Sequence, residues 1–169
     1  GIFAVGETVY VFVGVGQNPG GMGCFVGQAS WAGKDYVRCK NNPLFRGAST
    51  YGDETLSGAA ANPFFAFRTI SSADIVQVGE RFYMLFEGIR GPGPGDPGDT
   101  QFGLGLARSL TGEIDGDWET YGGNPILLDL PGNVGVGHAD FLLQNGVTYL
   151  YTSLDGQTRS RLRLVWQRP

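Results

Sequence analysis

The sequence predicts an all-β protein built from β-propeller blades, each a sheet of four antiparallel strands. Three observations predict it. A strand-and-turn pattern recurs about three times, over residues 1–14, 73–88 and 139–152. Its turns, Gly6-Glu7, Gly79-Glu80 and Asn145-Gly146, lie 73 and then 66 residues apart, which leaves room for four strands and their loops. Glycine accounts for 29 of 169 residues without a collagen period, and falls at turns between short apolar strands. Helical periodicity is almost absent.

The elements follow in order. Residues 1–14 form a hairpin whose Gly-Glu turn suits the mirror-image type that takes Gly first. Residues 24–30 read as a third strand, 36–39 as a fourth, and Asn41-Asn42-Pro43-Leu44-Phe45 closes the unit. The middle repeat matches: a hairpin at 73–88, a Gly/Pro/Asp loop to 100, a third strand at 101–109 and a fourth at 118–121. Gly123-Asn124-Pro125-Ile126-Leu127 follows it. The last repeat has an Asn-Gly hairpin at 139–152 and a third strand at 161–166. The blade-like repeats of this single partial propeller domain are about 1–45, 68–127 and 136–169. Propellers close with at least four blades. With about two and a half to three, the sequence is expected to be part of a longer protein, the favoured reading, or to close a ring with other copies. The opening copy is expected to start one residue after the point matching Asp74 and Asp140.

Composition excludes several functions. Net charge is −4, and the nearest thing to a basic cluster, Arg159, Arg161 and Arg163, alternates as one strand face would, so nucleic acid is not an expected partner. No apolar run is long enough to span a bilayer. Cys24 and Cys39 lie on neighbouring strands in a crude register that sets them about three positions out of line; a disulfide and two buried thiols both remain open. No metal site or cofactor is expected. Asp96 and Asp99 point only faintly to calcium, because their spacing fits no loop motif for that ion. Residues 113–117 are read as a solvated acidic turn, and Trp118 and Trp166 as packing between blades.

Counting back from the hairpin turns places the candidate site. Asp74 falls across from Leu85 and Glu87 across from Ser72; Asp140 falls across from Tyr151 and His138 across from Ser153. If the first strands line a central channel, Asp74, Glu87, His138 and Asp140 converge at one mouth. Several carboxylates around one pocket are what glycoside cleavage needs: one protonates the leaving oxygen, another attacks or activates water, and a third holds up an acid's proton affinity. The catalytic candidates are Asp74, Glu87 and Asp140, with Asp74 as base, nucleophile or modulator and Glu87 as proton donor. His138, Arg90 and the strand-end Trp31 are the candidate sugar contacts. The structural alternative is that Asp74 and Asp140 cap strands by accepting backbone hydrogen bonds.

Ser-Ala-Asp-Ile-Val at 72–76, Arg-Phe-Tyr-Met-Leu-Phe-Glu-Gly at 81–88, Phe-Gly-Leu-Gly-Leu-Ala-Arg-Ser at 102–109 and Gly-Asn-Pro-Ile-Leu at 123–127 resemble the blades of five-bladed propeller glycosidases. That superfamily comprises arabinanases, β-xylosidases, levansucrases and invertases, with mannoside phosphorylases as relatives. The resemblance implies a carbohydrate partner, a glycoside hydrolase-like activity, and a secreted or extracellular location. It also implies acids at or near the inner strands of successive blades, positions that Asp74 and Asp140 match and Glu87 does not. Ile75 and Phe141 stand where the superfamily often has proline after the acid. A carbohydrate-binding or assembly propeller without catalysis is the alternative.

Overall fold

The computed structural model describes residues 1–15, 21–28, 36–46, 69–90, 101–128, 137–153 and 159–164. Trp31, Asp96, Asp99 and Trp166 lie outside these, as does the side chain of Arg90.

Thirteen strands among the described residues form three antiparallel sheets. The first holds β1 (Ile2–Val5), β2 (Thr8–Val15), β3 (Gly21–Gln28) and β4 (Val37–Arg38) in that order, with β5 (Phe45–Arg46) also on β3. The second runs from β6 (Thr69–Val78) through β7 (Arg81–Arg90) to β8 (Gln101–Ser109). The edge of β8 is shared by β9 (Trp118–Thr120) and β10 (Leu127–Leu128). The third contains β11 (Gly137–Gln144), β12 (Val147–Ser153) and β13 (Arg159–Leu164). The expected all-β, blade-like sheets are present.

The repeat is legible in individual hydrogen bonds. Asn42 Nδ2 donates to the Cys24 carbonyl at 2.6 Å, and Asn124 Nδ2 to the Leu106 carbonyl at 3.0 Å. The amide of Leu44 bonds Met22 O at 2.8 Å, as that of Ile126 bonds Leu104 O at 2.7 Å. Each Asn-Pro segment therefore latches an outer strand onto the third strand of its own blade, with a cis peptide before both Pro43 and Pro125. Cys24 and Cys39 are joined as a disulfide, with Cα atoms 5.4 Å apart. The predicted three-position offset is corrected: Cys39 N bonds Cys24 O at 3.0 Å, so the two face each other across adjacent strands.

Sheets pack face to face around the middle one. Phe12, Met22 and Phe45 of the first meet Ile70, Phe82, Met84, Phe86 and Trp118 of the second in one buried cluster. Leu85 and Leu104, from the opposite face of the second sheet, meet Ala139 and Leu150 of the third. The middle sheet is thus covered on both faces, which is why β7 reads as a near-continuous apolar run rather than an alternation. Phe86 meets Phe45 with rings tilted by 54° and centroids 5.0 Å apart, and Phe82 meets Phe3 edge-on at 5.8 Å. At the outer rim, Asp115 accepts the amides of Lys40 and Asn41 at 2.7 and 2.9 Å. The acidic turn read as merely solvated is therefore a strap between the first two blades.

Two registers differ from the count. Ser71, not Ser72, pairs with Glu87, and Gly137, not His138, pairs with Ser153. A β-bulge in each inner strand accounts for both: Ser72 and His138 occupy left-handed backbone at φ 48° and 49°, and each adds an unpaired residue that moves the register. Asp74 across from Leu85 and Asp140 across from Tyr151 stand as counted, because both lie on the turn side of the bulge. Gly1 exchanges hydrogen bonds with Phe12, the pairing that Asp74 makes with Leu85. The position of Asp74 is therefore filled by Gly1 in the first sheet, one residue earlier than expected.

Phe86→Ala should destabilise the fold by about 3–5 kcal/mol in chemical denaturation, because it empties the first blade junction. Val78→Ala, at a 54% exposed strand end, should stay within about 0.5 kcal/mol. Equal effects would contradict this placement of the core.

Candidate functional site

The site lies along the inner strands β6 and β11, where the second and third sheets meet. An inner strand leaves one edge without a ladder partner, and its amides need acceptors. Asp74 supplies them for two blades at once. Its Oδ1 accepts the amide of Ile75 at 2.9 Å, and its Oδ2 accepts the amide of Phe141. Ile75 and Phe141 are equivalent positions, each following the aspartate of its own repeat. One carboxylate thus bridges matching amides of adjacent blades.

Glu87 makes the second bridge. It is only 3% exposed, with its Oε1 accepting the Ser71 hydroxyl at 3.0 Å and its Oε2 accepting the His138 amide at 2.6 Å. Gly137 makes room for it: a Cβ there would stand 2.5 Å from Glu87 Oε2. The Thr152 hydroxyl holds the other side of the same residue, donating to Gly137 O at 2.9 Å. The His138 ring projects outward, 72% exposed, with Nδ1 3.7 Å from Glu87 Oε2.

Burial pushes the Asp74 carboxyl above its ordinary proton affinity. The charge of Asp140 adds to the rise, while the amides of Phe141 and Ile75 oppose it. Asp140 itself is exposed.

Of the residues singled out in the sequence, Asp74, Asp140, His138 and Glu87 come together at this junction. The backbone of Arg90 closes β7 opposite Gln101. Glu87 is buried, and both its oxygens are engaged inside the junction. Ser71, Gly137, Thr152 and the Phe141 amide were missed. Only Gly137, in the run Gly135-Val136-Gly137, left a mark in the sequence as a point of close approach. Among the described residues, no group of three or more His, Cys, Asp or Glu side chains is arranged to hold a metal ion. Likewise, no helix among them is long and apolar enough to cross a membrane.

No protein-family model matches the chain, and no curated protein matches it. Solved structures do. An endo-arabinase from Bacteroides thetaiotaomicron aligns with a TM-score of 0.62 at 14% identity, over 99% of this chain and 55% of that one. A thermostable family-43 glycoside hydrolase aligns with a TM-score of 0.58 at 15% identity, over 99% and 54%. A GH32 β-fructofuranosidase from Bombyx mori aligns with a TM-score of 0.55 at 12% identity, over 91% and 28%. The chain spans about half the length of the first two. At such identities the likeness shows the fold alone, the one these three structures share with the chain.

A carboxyl whose proton affinity is raised by folding favours the native state fully below the ordinary carboxylate range. That contribution is lost as pH rises through the raised value. Asp140→Asn should therefore lower the Asp74 titration midpoint, read by carboxyl-carbon NMR, and flatten the loss of stability across that window. An unmoved midpoint would show that the two acids do not sense each other.

Proposed function

We propose that this chain contributes the carboxylates of a glycoside-cleaving site. Asp74 is the proton-transfer group, Asp140 its partner acid, and the exposed His138 imidazole a contact for sugar hydroxyls. The observation that carries the reading is the pair of aspartates at equivalent inner-strand positions of successive blades, where burial first, and the charge of Asp140 after it, raise the proton affinity of Asp74. Glycoside cleavage needs two carboxyl groups held apart in proton affinity around one bond. Asp74 is held rigidly by two amides, and its raised proton affinity makes it a better acid–base group near neutral pH than an ordinary aspartate. Arg90 and Trp31 are proposed as further sugar contacts on sequence grounds. The fold neighbours named as an endo-arabinase and a β-fructofuranosidase make furanosides the substrate class to try first.

One observation favours a second reading, a propeller that binds sugar without cleaving it: both Asp74 oxygens are already committed to backbone amides.

With linear arabinan and a β-fructofuranoside as probes, the protein should release reducing sugar. Asp74→Asn and Asp140→Asn should each cut turnover at least ~100-fold while leaving the far-ultraviolet spectrum unchanged. Saturable binding with no product would select the binding reading, and full activity in both variants would end the catalytic assignment.

A further inference from the structure

We infer that Glu87 is a positioning residue, which anchors the Gly137–His138 peptide against the second sheet and so sets where the His138 imidazole stands beside Asp140; the inference rests on the sugar-site reading above. The argument comes from comparing two equivalent junctions in one molecule. By the 73-residue repeat, the position of Glu87 is filled in the first sheet by Gly14. By the 66-residue repeat, His138 corresponds to Ser72. Ser72 adopts the same left-handed backbone as His138, φ 48° against 49°. It does so facing a sheet that has Gly14 where the other junction has a carboxylate. The bulge therefore forms with glycine rather than a carboxylate at the equivalent position, and Glu87 is not a general blade-building device.

The two junctions are also shaped differently. At the first, the backbones close until a Cβ on Gly14 would run into the Ile70 carbonyl oxygen. At the second, room is kept for the whole Glu87 side chain, and the facing residue has shrunk to Gly137. A buried carboxylate is expensive to desolvate, and an isolated one would be strongly destabilising. This one is offset by two hydrogen bonds, and the shorter, at 2.6 Å, goes to the amide of the one histidine in the chain. With Thr152 fixing Gly137 from the other side, the peptide entering His138 is held at both ends. The imidazole then projects into solvent from a fixed root, next to the strand position that carries Asp140. Rigid placement of a sugar-contacting group is where a small displacement changes rate most.

The test follows backbone and imidazole NMR signals of His138 together with turnover on linear arabinan. Glu87→Gln can keep the His138 amide bond through its carbonyl, while the Ser71 hydroxyl turns to accept from the new amide. It should keep the downfield His138 amide signal and most of the turnover, within about threefold. Glu87→Ala should move that signal upfield and cut turnover about 30-fold, mainly in kcat, with the acid limb of the pH profile unshifted. Should Glu87→Ala fold poorly, Gly137→Ala reads the same contact, since its methyl displaces the carboxylate. Glu87→Gln as inactive as Asp74→Asn would overturn the inference, because Glu87 would then be carrying a proton. Unmoved His138 signals in both Glu87→Ala and Gly137→Ala would overturn it too. A wild-type protein inert toward arabinan would sink the sugar-cleavage reading instead, and the His138 signals would still decide whether Glu87 holds that peptide.

Discussion

The arrangement at the second blade junction rests on one constraint: backbone amides on the inner edge of a sheet must find acceptors, and here they find carboxylates from the neighbouring blade. Asp74 accepts from Ile75 on its own strand and from Phe141 on the next, and Glu87 accepts from His138. Edge strands in most sheets are blunted by charge, proline or a covering segment. In this molecule the device is a pair of anions, and it ties blade to blade while it quiets the edge. Apolar packing supplies the rest of the junction through Leu85, Leu104, Ala139 and Leu150. Packing is non-directional, so it is the carboxylates that fix the relative height of the two inner strands.

The same constraint explains why structure and chemistry converge on these residues. A carboxylate drawn into a junction loses water, and its proton affinity rises; a second aspartate at the equivalent position one blade on raises it further. Asp74 is partly enclosed by the following blade, whereas Asp140 is exposed. The bulges at Ser72 and His138 lie in the same stretch: each inserts a residue just before its aspartate and shifts the register there.

How much of this was legible in the sequence depends on how local the cause was. The hairpins were, since Asn145 and Gly146 at φ 52° and 73° are the turn that an Asn-Gly pair specifies. So were the pairings of Asp74 and Asp140, which lie a few residues from those turns. Beyond them the count failed by one, because a bulge is imposed by the sheet packed against the strand and leaves no fixed signature in residues such as Ser71-Ser72. The facing of Cys24 and Cys39 was miscounted for a related reason: the register had to be carried through a loop of unknown shape. Asp115 was read as solvated because its partners, Lys40 and Asn41, are more than seventy residues away in sequence. The Asn-Pro latches were visible as repeated words, while their purpose became clear only from the carbonyls they grip.

The central claim is that the Asp74 carboxylate bridges equivalent amides on two blades, and hydrogen-bond scalar coupling measures it directly. A long-range nitrogen–carbon NMR experiment on labelled protein should connect Asp74 Cγ to the amide nitrogens of both Ile75 and Phe141. A correlation to Ile75 alone, with Phe141 exchanging freely with solvent, would contradict the account: Asp74 would then be capping its own strand, and the two inner strands would be joined by apolar contact only.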